Sequence, residues 1–496
     1  MSVPALRIWI DWAGEGVFQP AFALTGRVVA VRWRLGFTDE SGAVAPVGTA
    51  EVTLHDRAAA EHPETRARES RPSMIGAVLV IESAAGTRLF TGFIHHIAEQ
   101  AADWGEPAFT LVAFTADAAF AAAAATPPLL DVAADVAVRR ALADLALRPL
   151  VWAGTWALGL PARSSLSAVM LAGSPVVPLT ADAACTRFPL VGGGWGETAR
   201  AWLTGVVEGE GGRLWADRDG GFRLINRHHT LRRGPPAHTF AHTAEAVYTW
   251  GEDAATQVSL TFTPRRIGPA NTVLWRLGAP VRLSPGTRTM EVRFTDALGF
   301  SVAAVHVAGL SWSASTHPEG QGEERPIAGR IVAFTSSGAT LEWTQPHREP
   351  VYLMASTAIT GTPLYTGAPV EVTAERSASA AAIGTRPVHG TLAWVSSAAE
   401  AHDRAAFLLL VRGPVRGVVS RLTFPAASAP LAVLRLFARI AVHAGRAGHT
   451  GDYHIVGEAH DAAADRHTVT LWLEPAPPAF WALNTAALGT DARLAV

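Results

Sequence analysis

The sequence predicts a mainly β fold with some α: antiparallel β-barrel domains accompanied by smaller α+β domains. Thr49 to Asp56 reads T-A-E-V-T-L-H-D, where Ala50, Val52 and Leu54 alternate with Glu51, Thr53 and His55, the period of a strand with one buried face. Leu89 to Ala98 reads L-F-T-G-F-I-H-H-I-A, and Gly92 interrupts its apolar residues. A glycine inside a strand marks a bulge or sharp bend, as at a barrel corner, so a small curled β-unit is implied. Strand-like runs separated by turn residues then recur along most of the chain, with few stretches of helical spacing.

The first unit has strand runs near Val28 to Phe37, Thr49 to Asp56, Ala77 to Glu82, Leu89 to Ala98 and Phe109 to Phe114, with a charged surface loop over Glu61 to Pro72. A-A-A-A-A-T-P-P at Ala121 to Pro128 breaks the pattern, and Leu129, Val132, Val136, Leu142 and Leu145 then follow helical spacing up to Pro149. A second helix fits Glu197 to Glu208 and stops at Gly211-Gly212, ahead of a D-R-D-G-G hairpin. Strands dominate from Val247, the clearest being Val258 to Thr263, Thr289 to Phe294, Arg330 to Phe334 and Ala339 to Trp343. Ala398 to Val411 is the last helix, with Ala401, Ala405, Leu408 and Leu409 as its buried stripe. Four strands near Val418 to Phe424, Ala438 to His443, Tyr453 to Ala459 and Thr468 to Leu473 suit a second barrel or sandwich. No short repeat is visible, but two separated β-units would suit an ancient duplication.

At 496 residues the chain is long enough for two to four domains. Charged residues make up 17%, against roughly a quarter in average soluble proteins, as in a subunit with large permanent contacts or one rich in alanine loops. The formal charge of −2 gives no basic footprint for nucleic acid. All basic residues are arginine, which reads as codon bias before any functional selection. Cys185 stands alone, so neither a disulfide framework nor a CxxC site can form within the chain. Arg7 and Asp11 leave no apolar core for a signal peptide, and Pro175 and Pro178 argue against a bilayer helix over Ser164 to Ala181. We therefore expect a soluble, unexported chain with no membrane span.

Every candidate for chemistry has a stronger structural reading. Gly192 to Thr198 precedes a helix but lacks the G-K-[S/T] ending of a phosphate loop. Asp217, Asp219 and Gly220 resemble part of a calcium loop, yet strand residues Phe222 to Ile225 follow at once, so a hairpin turn is expected there. His95-His96 and His228-His229 should point to opposite faces of their strands. His238 and His242 would lie about 13 Å apart on a strand and lack the glutamate of a helical zinc site. No G-x-S-x-G elbow is present, and Cys185 has no nearby histidine. Tryptophans such as Trp9, Trp33, Trp202, Trp215, Trp250, Trp343 and Trp472 could hold sugar, but their scatter favours core and interface anchoring. We expect no catalytic residue, no cofactor and no metal.

The order A-x-V-T-L-x-D, spacer, L-F-T-G-x-I resembles the opening barrel of tail-tip or baseplate hub (minor tail) proteins of long-tailed phages and related tail-like particles. Gly211 to Arg227, G-G-R-L-W-A-D-R-D-G-G-F-R-L-I-N-R, resembles the next landmark of that family. Asp452 to Gly457, Val469 to Pro475 and a tail with Trp481, Leu488 and Leu494 resemble its closing segment. The resemblance implies a tube-like β-barrel over 1–118, an α+β domain with the D-R-D-G hairpin over 119–246, a β-rich domain over 247–375, and a helix plus β domain contributing to a second barrel over 376–496. It also implies a homotrimer whose two barrels per chain meet a hexameric tail tube or distal tail protein. Further partners would be a tape-measure protein, a distal fibre or spike, and DNA in transit. The location would be the virion tail tip, assembled in the host cytoplasm. The alternative is a tail-associated or secreted cell-wall glycan-binding protein or hydrolase.

Overall fold

Alternation along the first strands builds a sheet with one deeply buried face. In the computed structural model these are β1 (Leu6–Asp11), β2 (Val28–Gly36), β3 (Thr49–His55), β4 (Val78–Ser83), β5 (Arg88–Gln100) and β6 (Ala108–Phe114). Ala50, Val52 and Leu54 of β3 are fully buried while Glu51 and His55 are exposed. All neighbours are antiparallel, in the order β1-β4-β5-β6-β3-β2. The residues described lie between 6 and 477; 1–5, 13–17, 25–26, 39–41, 56–65, 67–72, 101–107, 123–128, 148–178, 183, 185, 193–196, 232–233, 242–244, 297, 445–447, 465 and 478–496 lie outside them.

A second six-strand unit repeats the first. Its strands are β7 (His238–Ala241), β8 (Glu245–Trp250), β9 (Gly417–Pro425), β10 (Arg439–Ala444), β11 (His449–Ala463) and β12 (Arg466–Pro475). They pair in the order β7-β10-β11-β12-β9-β8, the first unit's order with every strand moved on by six. Finer features coincide. β5 shifts register against β6 between Ile94 and His96, and β11 shifts against β12 between Ile455 and Gly457. Thr53 and Thr110 join hydroxyls across β3 and β6 at 3.2 Å, as Thr423 and Thr470 do across β9 and β12 at 3.3 Å. β2 ends on Gly36 at φ 79°, and β8 is followed by Gly251 at φ 69°, both in the left-handed region open to glycine. One difference stands out: β1 is antiparallel to β4, whereas β7 is parallel to β10.

The two units fuse edge to edge. β2 pairs antiparallel with the second half of β11, from Ala30 opposite Ala463 to Gly36 opposite Gly457, giving one 12-stranded sheet over a shared core. The second unit is interrupted along the sequence between β8 and β9. Between β8 and β9, strand Gln257–Phe262 pairs with Val370–Glu375 and Pro387–Leu392, beneath a helix at Ala398–Arg412. That layer joins the core of the helical region, while residues 274–359 form a separate β core around Phe294, Leu341 and Trp343.

Between the units lie helices α1 (Ala134–Leu147) and α2 (Ala199–Glu210). Thr198 caps α2 by accepting from the Ala201 amide at 3.2 Å, and Gly211 ends it at φ 69°. Leu129 and Val132, expected on the helix, instead lie in a strand pairing with Arg187–Val191. Helical backbone begins only at Ala134, with Asp135 in the first turn where the dipole favours an acid. The alanine-rich helix at Ser377–Ile383 was not expected from the sequence. No described helix is long and apolar enough to cross a membrane; most of Ser164 to Ala181 lies outside the described residues.

Candidate functional site

The D-R-D-G-G segment forms the expected hairpin turn between Arg213–Ala216 and Phe222–Ile225, with Gly220 at φ 82°. Its tip is not a solvent loop. Arg218 is 2% exposed and reaches into the second six-strand unit, where Nε donates to Glu458 Oε1 at 2.8 Å. Nη1 and Nη2 donate to the carbonyls of Leu431 and Leu434, each at 2.7 Å, and Nη2 also pairs with Glu458 Oε2. On the other side, Thr91 of β5 donates its hydroxyl to the Arg218 carbonyl at 2.8 Å. One turn residue therefore ties both six-strand units to the region between them.

Burial alone would raise the Glu458 carboxyl, but the Arg218 guanidinium and His460 outweigh it and hold it at about 2. Arg218 is likewise disfavoured by burial and held above its ordinary value by Glu458. Such a pair adds little net stability because both ions were desolvated, yet removing one partner strands a buried charge. Asp217 and Asp219 brace the turn. Asp217 accepts from the Arg218 amide at 2.8 Å and pairs with Arg223, while Asp219 pairs with Arg435 at 2.9 Å.

The seam between β2 and β11 carries the next layer. His460, directly across from Trp33, stacks on it with centroids 4.2 Å apart and planes 8° from parallel. His460 Nδ1 lies 3.0 Å from His467 Nε2, and its Nε2 lies 3.9 Å from Glu458, beyond hydrogen-bond reach. Burial lowers both histidines. For His467 the positive charge of a protonated His460 adds to the effect, bringing it to about 4. At neutral pH both rings are uncharged, so the seam is an aromatic stack above one ion pair.

Other sequence candidates fall elsewhere. Gly92 pairs with Leu79 at the place where β5 leaves β4 for β6. Of the bulge or corner expected there, Gly92 stands at the strand's change of partner, and the register shift lies two residues beyond it, between Ile94 and His96. Its φ is not positive, but a side chain there would meet the Phe90 ring at 2.6 Å and the Phe114 carbonyl at 2.8 Å. At that register shift His95 and His96 come together, Nδ1 to Nδ1 at 3.0 Å, although strand alternation predicts opposite faces. His229 instead bonds Asp182 at 2.7 Å. His238 opens β7, whereas His242, Cys185 and Trp481 lie outside the described residues. No group of three or more potential metal ligands occurs among the described residues. Trp9, Trp33, Trp202, Trp215 and Trp343 are core residues; Trp250 is 69% exposed.

The sequence reading missed Arg218, Glu458 and His460. A signal existed in β11, where Glu458 and His460 occupy inward positions two apart, and an acid on a buried face requires a cation.

No family model and no curated protein matches the chain. The solved structures similar to it include tail proteins. One is a tail protein from Neisseria meningitidis, 10% identical with a TM-score of 0.49, covering 95% of this chain and 96% of that one. A prophage tail protein from Shewanella oneidensis is 9% identical with a TM-score of 0.47 over 95% and 98% of the two chains. A component of the type VI secretion system of E. coli, described as similar to phage T4 tail proteins, is 9% identical with a TM-score of 0.37 over 90% and 73%.

Proposed function

We propose that the chain is a structural tail-tip, or baseplate hub, subunit whose duplicated β-units form part of a ring capping and continuing a tail tube. The observation that carries this reading is the repetition: one strand order occurs twice in one polypeptide, and the copies are joined edge to edge. Two equivalent units per chain give six around a threefold axis, which matches a hexameric tube without changing the tube's own subunits. The order of the sequence landmarks supports the same assignment. In this role the chain adapts symmetry, seals the channel before infection and opens for the tape-measure protein and DNA. Its partners are two further copies of itself, the tube or distal tail protein, and a distal fibre or spike. No residue is assigned a chemical step.

Antibody against the purified chain, viewed on intact particles by electron microscopy, tests the location. Label at the distal end of the tail tube is the expected result. Label on the head, or on no particle component, refutes the role.

A further inference from the structure

We propose that, apart from any role in a ring, a cavity on the second six-strand unit binds a short peptide in which an apolar residue stands beside an acidic one. The cavity measures about 300 Å³ and lies among β8, β9, β12 and β11, with Thr38 at its rim.

Two one-residue insertions open it. Between β8 and β9, Val247 opposes Arg421 and Tyr248 opposes Val419, so Ser420 is the extra residue. Between β11 and β12, Gly457 opposes Trp472 and Ile455 opposes Leu473, so Val456 is the extra one. Each extra residue drops out of the ladder and bends its strand. The bulges flank Arg421 and Trp472, which oppose each other on β9 and β12. Gly457, beyond Trp472, can carry no side chain into the space, since a Cβ there would lie 1.9 Å from the Phe37 carbonyl oxygen.

The lining divides into an apolar floor and a polar rim. Val456 and Leu473, 3% and 2% exposed, form the floor with Val247, beside the indole of Trp472. Ser420 and Thr38 supply hydroxyls, and Arg421 is exposed. Among the described residues Arg421 has no hydrogen-bond or ion-pair partner, whereas Arg416, Arg435 and Arg439 of the same region are all engaged. A guanidinium fork at the rim of an apolar hollow favours a carboxylate carried on an apolar body. A sugar acid would turn most of its hydroxyls toward Val247, Val456 and Leu473 without partners, which is costly. An apolar side chain followed by an acidic one leaves no such group unpaired.

The hollow is not a by-product of the repeated fold. Counted from the matched threonines, Arg421 and Trp472 hold the places of Glu51 and Val112 in the first unit. There β2 pairs with β3 from Ala30 to Arg34 without the shift that turns out Ser420. The second unit thus has a cation and an indole where the first has an acid and a valine.

The test uses the full chain with acetyl-Gly-Phe-Glu-Gly-amide as probe, followed by saturation-transfer NMR and titration. Saturable binding through the phenylalanine ring is expected. Arg421→Gln should weaken it about tenfold or more and remove the preference for glutamate over glutamine in the probe. Thr38→Trp, at an exposed position on the rim, should block the probe without moving the unfolding midpoint. Equal binding of the glutamate and glutamine probes to the unaltered chain, or binding that survives both substitutions, overturns the site. No transfer at about 10 mM probe overturns it as well. Glucuronate bound where the peptide is not would assign the cavity to a sugar acid and equally overturn the proposal.

Discussion

β2 and β8 hold the same place in two copies of one unit, yet their side chains meet different surroundings. β2 reads V-V-A-V-R-W-R-L-G, with Val31, Trp33 and Leu35 buried and Arg32 and Arg34 exposed. β8 reads E-A-V-Y-T-W, and its aromatic residues at the corresponding positions are exposed. The contrast teaches that burial on a strand depends on whether its neighbour is present in the chain, more than on the strand's own composition. The aromatic residues persist at these positions of β8 although Tyr248 is only partly covered, by the ring of His449, and Trp250 is 69% exposed among the described residues.

The largest effects should come from the ion pair that locks the units. Arg218→Ala leaves Glu458 charged in the core and is expected to cost about 3–5 kcal/mol in denaturant unfolding, whereas Arg218→Met with Glu458→Leu should recover most of the loss. If Arg218→Ala alone costs under about 1 kcal/mol, the turn is not the lock. Counted from the matched threonines Thr53 and Thr423, Leu35 holds the place of Trp250, so the comparison itself is sharpened by Leu35→Ala and Trp250→Ala. The first should cost about 2–5 kcal/mol in the isolated chain, and the second should stay within about 0.5. Equal losses would mean that the two positions are not a covered and an uncovered version of one site.

Gly92→Val should cost about 1–3 kcal/mol by overpacking against Phe90 and the Phe114 carbonyl; an unchanged melting temperature would show that this corner yields. The smallest effect concerns pH. His467 titrates at about 4 in the folded chain against an ordinary 6.5, so the unfolded chain takes up its proton first as pH falls. Stability should decline between those values, with His460 adding in the same direction, while the Glu458 contribution is lost progressively from its ordinary 4.5 down to about 2. His467→Gln should flatten the slope, as read by unfolding midpoints at stepped pH; an unaltered slope would assign it to other groups.

Much of the scaffold was legible in the sequence because strand alternation is local: β3, β5, the D-R-D-G hairpin and α2 follow from spacing and turn residues. The repeat was only faintly legible. β6 and β12 share little beyond Thr110-Leu111 and Thr470-Leu471, and pairing order is a long-range property that no local pattern encodes. Arg218 was hidden for a related reason. A charged residue at a hairpin tip reads as solvated, and only the approach of Glu458, 240 residues away, makes it a core residue. The bulge between Ile94 and His96 reversed the reading of the histidine pair, since one extra residue defeats strict alternation.

The proposal that the duplicated unit serves a tail tip is tested most directly by a reconstruction of intact tails that resolves individual strands. The expected result is this chain at the distal end of the tube, present in three copies that set six such units around the axis. A tail tip without this chain, or with it in a number other than three, would contradict it.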